Sequence, residues 1–409
     1  MIKTSISLRG INDGEDNTSA AAESDPFSGT FGGGIDENVY LVEDALTLWL
    51  TLIRIAPSYN ASLHSLFPRV TSLICNHDWE HLKVCMHIIE AYIVVGGEMF
   101  LNQYAGEVSI TFVKTIGQVK AKACSYIMLP LLALVRMFPV EGGKLLVEGG
   151  GMNCILKCVL DVIREQRDCE SDLAIVQWMS VLARTLLAVP SAIDSILDGQ
   201  WNVIVRSKNG EVEGFSGKEL LELFFDKFDQ CGHGRCPNGG TRRRKLWALA
   251  LCCLLPGGNH GLSPHHTLSN GILQFVDRLV DICVDVMNDE NDAKEQAQAS
   301  SNNGTPRSSF DHFDDSYDDY DSEEDVIFDT TIATALYNIR MNEMDTRDEV
   351  CKLDFKVFVK GKMDAAADVV GSVRWNEIME GCEPTTRHRL ISALTMYVVK
   401  REGLESQGW

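Results

Sequence analysis

Leu41-Val-Glu-Asp-Ala-Leu-Thr-Leu-Trp-Leu-Thr-Leu-Ile-Arg-Ile55 is the stretch that decides the fold. Plotted at 3.6 residues per turn, its polar residues Glu43, Asp44, Thr47, Thr51 and Arg54 fall within an arc of about 100°. The rest of the circumference is apolar, and Pro57 closes the segment. A helix this greasy around its girth needs neighbours on more than one side.

The pattern recurs along the chain. WEHLKVCMHIIEAYIVV (79–95), KACSYIMLPLLALVRMF (122–138), LAIVQWMSVLARTLLAV (173–189) and RRKLWALALCCLL (243–255) share the wide apolar arc, and Pro190 and Pro256 stop the last two. In ILQFVDRLVDICVDVM (272–287) the polar positions Gln274, Asp277, Arg278, Asp281 and Asp285 again line one strip. Alternating runs are scarce, so a sheet has little to be built from. Comparable helices begin near 41, 79, 121 and 172, a spacing close to the roughly 40 to 47 residues of HEAT and armadillo units. The expected class is all-α: an α-solenoid of HEAT-like antiparallel helix pairs forming a right-handed superhelix, with a single globular helical domain as the rival.

The domain reading is a flexible leader over 1–36, rich in Gly and Ser, then a solenoid over 37–287. A loop insertion around 199–241 interrupts it and is expected to stay out of the packed core. A disordered acidic loop follows over 288–325, and helices over 326–409 complete the array. The leader lacks the apolar centre of a signal peptide.

At 409 residues and 45% hydrophobic content the chain can bury a large core. Its formal charge is −21, and the stretch from Asp285 to Asp329 alone carries a net −13 of that. Such a field repels phosphate and attracts basic partners, so direct nucleic-acid binding is not expected. The 13 cysteines sit mostly in apolar runs, as in Leu251-Cys252-Cys253-Leu254, which fits a reducing compartment better than a disulfide framework. No run reaches the roughly 18 uninterrupted apolar residues of a membrane span, so no membrane partner is expected.

Four constellations suggest chemistry. His77-Asp-Trp-Glu80-His81 has the order of inverted zinc proteases, in which two histidines share a helix face and a Glu polarises the metal-bound water. Asn76-His77-Asp78 also reads as an interhelix turn with Asp78 as N-cap, which leaves His77 off the helix. Cys231, His233 and Cys236 offer three zinc ligands, with His265 or His266 as a fourth, but no CxxC pair supports a site and a flexible Gly-rich loop is the better reading. Glu141-Gly-Gly-Lys144 and Gly214-Phe-Ser-Gly217-Lys218 lack the Gly that a phosphate cradle needs five places earlier. Arg242-Arg-Arg-Lys245 opens an apolar helix where cations oppose the macrodipole; pairing with acids, contact with a partner, or simple solvation all stand. No catalytic residue, cofactor or metal is assigned, and an enzyme is not expected.

DHFDDSYDDYDSEED (311–325) is the most singular stretch. As a spacer it would simply be solvated. As a binding sleeve, Asp311, Asp314, Asp315, Asp318, Asp319, Asp321, Glu323, Glu324 and Asp325 would draw in a basic partner. Phe310, Phe313, Tyr317 and Tyr320 would then supply apolar or cation-π contacts, and phosphorylation of Ser316 or Ser322 would deepen the charge.

Three ordered stretches carry a family resemblance. Val39 to Leu50 with the turn at Ala56-Pro57, Arg243 to Pro256 preceded by Leu223-Phe-Phe-Asp-Lys-Phe-Asp229, and Asp348 to Phe358 after an acidic linker are similar to the C-terminal half of importin-eleven-like nuclear transport receptors. These belong to the importin-β (karyopherin-β) family of HEAT-repeat proteins. The resemblance runs from about Glu37 to Leu404, and the loop at 231–240 and the Tyr- and Asp-rich insertion depart from it. It implies nuclear import of protein cargo, here basic, in a pathway controlled by Ran-GTP, with nucleoporins as further partners. Cytoplasm, nucleus and nuclear pore are the implied locations. The main Ran contact is expected in an N-terminal half that precedes this chain, so the chain is read either as a fragment, the favoured reading, or as a short relative without that switch. The alternative function is a HEAT scaffold unrelated to transport, and a zinc hydrolase using His77, Glu80 and His81 stands last.

Overall fold

The computed structural model describes residues 35–75, 79–119, 121–164, 172–189, 202–206, 212–231, 239–257, 271–302 and 331–405. Two compact units are distinguished, Met1–Glu43 and Asp44–Trp409. Of the first, the described residues are the opening turns of α1 (Ile35–Ile55); all packing below lies within the second.

The second unit is an all-α solenoid of HEAT-like helix pairs, as the periodicity implies. Helices α2 (Ala61–His64) and α3 (Phe67–Cys75) lead into α4 (Leu82–Thr115). Then come α5 (Ala121–Met137), α6 (Pro139–Glu148), α7 (Gly151–Ile163) and α8 (Asp172–Ala188). α9 (Gly217–Asp226) and α10 (Phe228–Cys231) precede α11 (Gly239–Cys253) and α12 (Val276–Asn302). The C-terminal set is α13 (Thr331–Arg347), α14 (Glu349–Lys352), α15 (Phe355–Val370), α16 (Ser372–Glu380) and α17 (Pro384–Glu405). α4, α5, α8, α11 and α12 pack each on the next, while α6 and α7 pack on each other and against α8. From Leu246 to Leu255 every residue of α11 and its exit is buried, which one partner helix could not achieve.

α4 runs well past the expected end at residue 95, but it is not one continuous helix. Gly97 has φ 56° and ψ −144°, a backbone state that glycine alone adopts cheaply. The Tyr92 and Phe100 rings stack with centroids 5.5 Å apart, where eight residues of unbroken helix would separate them by about 12 Å. Among the described helices α4 is the one long and apolar enough to cross a membrane by length and composition; here it is bent at Gly97 and most of its apolar window is buried by other helices. The bend seats His64 against Gly96, with Tyr59, Tyr92 and Phe100 around the imidazole. Burial pushes the His64 imidazole down, and its Nδ1 lies 2.7 Å from the Asn60 carbonyl oxygen.

Two expectations are corrected. The stretch around 199–241 does join the core. Asn202–Arg206 (β1) pairs antiparallel with Val212–Ser216 (β2), Val203 facing Phe215 across the ladder. Val203, Val205 and Phe215 are buried, and a Ser216–Glu219 capping box starts α9, whose Leu220, Leu221, Phe224 and Phe225 are buried too. A short alternation confined to five residues per strand was too small a signal against the helical background. The acidic segment also begins as helix: α12 continues to Asn302, beyond the boundary expected at residue 287.

A Cβ at Gly96 would lie 2.4 Å from the Phe100 Cβ and 2.5 Å from His64 Nε2, whereas one at Gly97 meets nothing. Gly96→Ala should therefore destabilise through overpacking by about 1–3 kcal/mol, and Gly97→Ala by a similar amount through backbone strain alone. Urea unfolding monitored by far-UV circular dichroism tests both. The pair separates further at His64→Ala, which removes the ring atoms a Gly96 Cβ would meet and should partly rescue Gly96→Ala while leaving Gly97→Ala unrelieved.

Candidate partner-binding surface

Arg184 is the only charged residue in LAIVQWMSVLARTLLAV, and Arg136 stands near the end of an almost wholly apolar α5. A cation in such a helix is tolerated only with a partner, because burying it alone costs far more than a hydrogen bond returns. Both partners come from the C-terminal part of the chain. Arg184 spreads Nη1 and Nη2 over the two oxygens of Asp348 at 3.1 and 2.8 Å. Arg136 donates from Nε to Asp348 Oδ2 at 3.2 Å and from Nη2 to Asp345. Arg242 on α11 reaches the second oxygen of Asp345 at 3.2 Å.

These residues make a cationic ladder across α5, α8 and α11 with two carboxylates set into it. The Arg136 and Asp348 side chains are 8% and 4% exposed, so water screens the pairs little. Asp348 also caps α14, its Oδ1 accepting from the Val350 N–H at 3.0 Å. Burial alone would raise this carboxyl, but Arg184, Arg136 and the Val350 N–H outweigh it and hold the group at about 2.

The ladder continues into the basic cluster that opens α11. Arg244 lies 2.9 Å from Asp289 and 3.3 Å from Asp285 on α12, and its guanidinium sits 4.8 Å from the Phe228 ring centroid. Lys245 pairs with Glu290 at 2.9 Å and donates to the Leu353 carbonyl at 2.8 Å. Of the three readings open for Arg242–Lys245, the structure shows pairing with acids. The negative charge that a helix N-terminus favours is supplied here from α12 and α13.

At its other end α13 meets the start of the array. Arg340 donates to the carbonyl oxygens of Arg54 and Ala56, satisfying the C-terminal end of α1. The Arg54 guanidinium lies 4.3 Å from the Tyr337 ring centroid. Tyr337 also contacts Glu90, a fully buried acid: burial raises that carboxyl, but His87, Tyr337 and Arg54 together bring it below its ordinary value. α13 therefore spans from α1 and α4 to α11, with Tyr337, Met341 and Met344 at helical spacing on its inward face and Asp348 just past its C-terminal end. The arrangement is one that holds carboxylates and presents or covers cations.

The nine acids from Asp311 to Asp325 lie outside the described residues, as do His77, His233, Cys236, His265 and His266. Cys231 is buried at the end of α10, and the described cysteines form no disulfide with one another. His81 is the residue capping α4, off the regular helix. Among the described residues no group of three or more His, Cys, Asp or Glu could hold a metal. The sequence reading missed the ladder because its pairs join residues 103 to 212 positions apart. The available signal was the lone arginine in each apolar helix.

A family model described as "Importin-11-like, TPR repeats" matches residues 33–394. TPR and HEAT units alike are stacked helix pairs. Over 222 residues, 54% of this chain, the sequence is 27% identical to Importin-11 of Mus musculus and 26% identical to Importin-11 of Homo sapiens. That stretch spans 21% of each relative's length. No solved structure matches the chain.

Asp348→Ala should cost about 3–5 kcal/mol, since it leaves buried arginines without their carboxylate and removes the α14 cap. The linkage sign follows from a depressed folded-state value: the contribution is complete above the unfolded carboxyl's pKa of about 4 and is lost as pH falls towards about 2. Urea midpoints at pH 7, 5, 4 and 3 should converge for wild type and variant; a constant gap across that range contradicts the assignment.

Proposed function

We propose, from the premise that this chain belongs to the importin-11-like family of the karyopherin-β nuclear transport receptors, that it is a cargo-binding array of a nuclear import receptor. The observation that carries this is the family match over 33–394, which spans nearly all the described helices. An array in which each layer contacts mainly its neighbours bends at small cost per repeat and offers a long face to a folded partner. Its work is binding, and transport direction comes from a switch acting on that binding.

Protein cargo, Ran-GTP and nucleoporin repeats are the proposed partners, and shuttling between cytoplasm and nucleus through the pore is the proposed setting. The matched stretch spans 21% of each relative's length, and the chain's own contribution is proposed to be cargo contact, with the main Ran contact in further repeats. In a pull-down from defined components, cargo should bind this chain, and Ran-GTP should release it only when N-terminal repeats of the family are joined to it. Nucleoporin repeats and Ran-GTP failing to bind the joined protein would leave a scaffold unrelated to transport.

The run from Asp311 to Asp325 is proposed as the sleeve for basic cargo. Replacing its nine acids by Ser and Asn should weaken a Lys/Arg-rich cargo peptide at least tenfold at low salt and flatten the salt dependence. Fluorescence anisotropy between 50 and 500 mM NaCl measures both, and unchanged affinity and slope would reduce the run to a spacer.

A further inference from the structure

We propose that residues 331–353 are a detachable ligand held in cis on the cationic ladder, and that the surface they cover receives an acidic amphipathic helix of a partner protein. This goes beyond the transport reading and does not rest on it.

The composition of the contact points to a strap, not a core element. Between residues 335 and 353 the buried residues are Tyr337, Met344, Asp348 and Val350, whereas α11 is buried at every position from Leu246 to Cys253. Ile339 stays half exposed on the outer side. What holds the segment is largely charge: Asp345 on Arg136 and Arg242, Asp348 on Arg184 and Arg136, Arg340 on the end of α1. Such pairs trade hydration for Coulomb attraction at little net gain, so they select a register without adding the stability of an equally large apolar contact. Segments with few buried apolar side chains open locally, well before the whole fold does.

The strap also defines what would replace it. Its inward face offers an aromatic ring at 337, methionines at 341 and 344, and carboxylates three residues apart at 345 and 348. Lifting it uncovers Arg184, both of whose terminal nitrogens are engaged by Asp348, together with Arg136 and Arg242. These are spaced for two carboxylates on one helical face. A partner helix with that pattern competes for the same cations, and the closed strap lowers its apparent affinity by the fraction of time the surface is open.

The probe is a fluorescein-labelled peptide with the sequence of residues 331–353. Wild-type protein should bind it weakly. D345N/D348N, which loosens the strap and leaves the ladder intact, should bind it at least tenfold more tightly, and adding R136Q/R184Q should abolish the gain. Equal affinity for wild type and D345N/D348N overturns the proposal. So does a single-stranded RNA binding the double variant as tightly as the peptide, which would make the surface one for phosphate. Hydrogen exchange on the unaltered chain decides the matter if the variants do not fold. Amides 335–347 should exchange by local opening, faster than those of α5, α8 and α11 and faster still at 500 than at 50 mM NaCl. Exchange of the strap only with global unfolding refutes a detachable segment.

Discussion

The structure depends on one constraint: from Leu246 onward α11 has no face left for water. With Leu246 to Leu255 buried without interruption, α11 is enclosed chiefly by α8, α12 and α15. Each enclosing helix has the same requirement in milder form, so the array extends by layers. α17 carries a more polar outer face, with Thr385, His388 and Arg389 exposed among its described positions. Trp247 shows how little polarity the interior admits: its indole N–H donates to Ser180 Oγ at 3.0 Å, and Ser180 donates in turn to the Val176 carbonyl. Both groups are satisfied with no water required.

Where the apolar helices α5, α8 and α11 stack, charge sits at the seams. Arg136, Arg184, Arg242 and Lys245 lie where α5, α8 and α11 meet the C-terminal helices, and each seam cation has an acid in reach. Desolvated pairs of this kind cost much to break and return little against a hydrophobic substitute. Their use at one particular seam marks a place where register matters more than adhesion. Among the described residues the seams between α4 and α5 and between α8 and α11 are lined mainly by buried apolar side chains.

The helices were legible because a wide apolar arc survives in any local window. Leu41–Ile55, 173–189 and 243–255 each read correctly from residue types alone. Three features were not legible, for separate reasons. The hairpin pairs five residues with five, below the length at which alternation stands out. Gly97 looks like any glycine in sequence, and its bend is imposed by aromatic packing around Tyr92 and Phe100. The charge ladder joins α5 and α8 to residues beyond 340, and no periodicity reports contacts at that separation. The basic turn at 242–245 was visible as a group of cations, but its acids belong to two other helices, one of them inside the segment expected to be a loop.

That basic turn also couples the two flanks of the acidic insertion. Arg244 and Lys245 hold α12 through Asp285, Asp289 and Glu290, while Arg242 and Lys245 hold α13 and the residue after α14 through Asp345 and the Leu353 carbonyl. The cations sit on one helical turn, and Lys245 serves both flanks. Among the acids, Asp289 is raised, first by burial and then by Asp285 and Asp292, with Arg244 pulling the other way. Its charge therefore leans on Arg244 remaining in place. Binding free energies between linked sites are reciprocal. Whatever a ligand at one flank changes at the other, a ligand at the other changes at the first by the same free energy, and the insertion is joined in sequence to both.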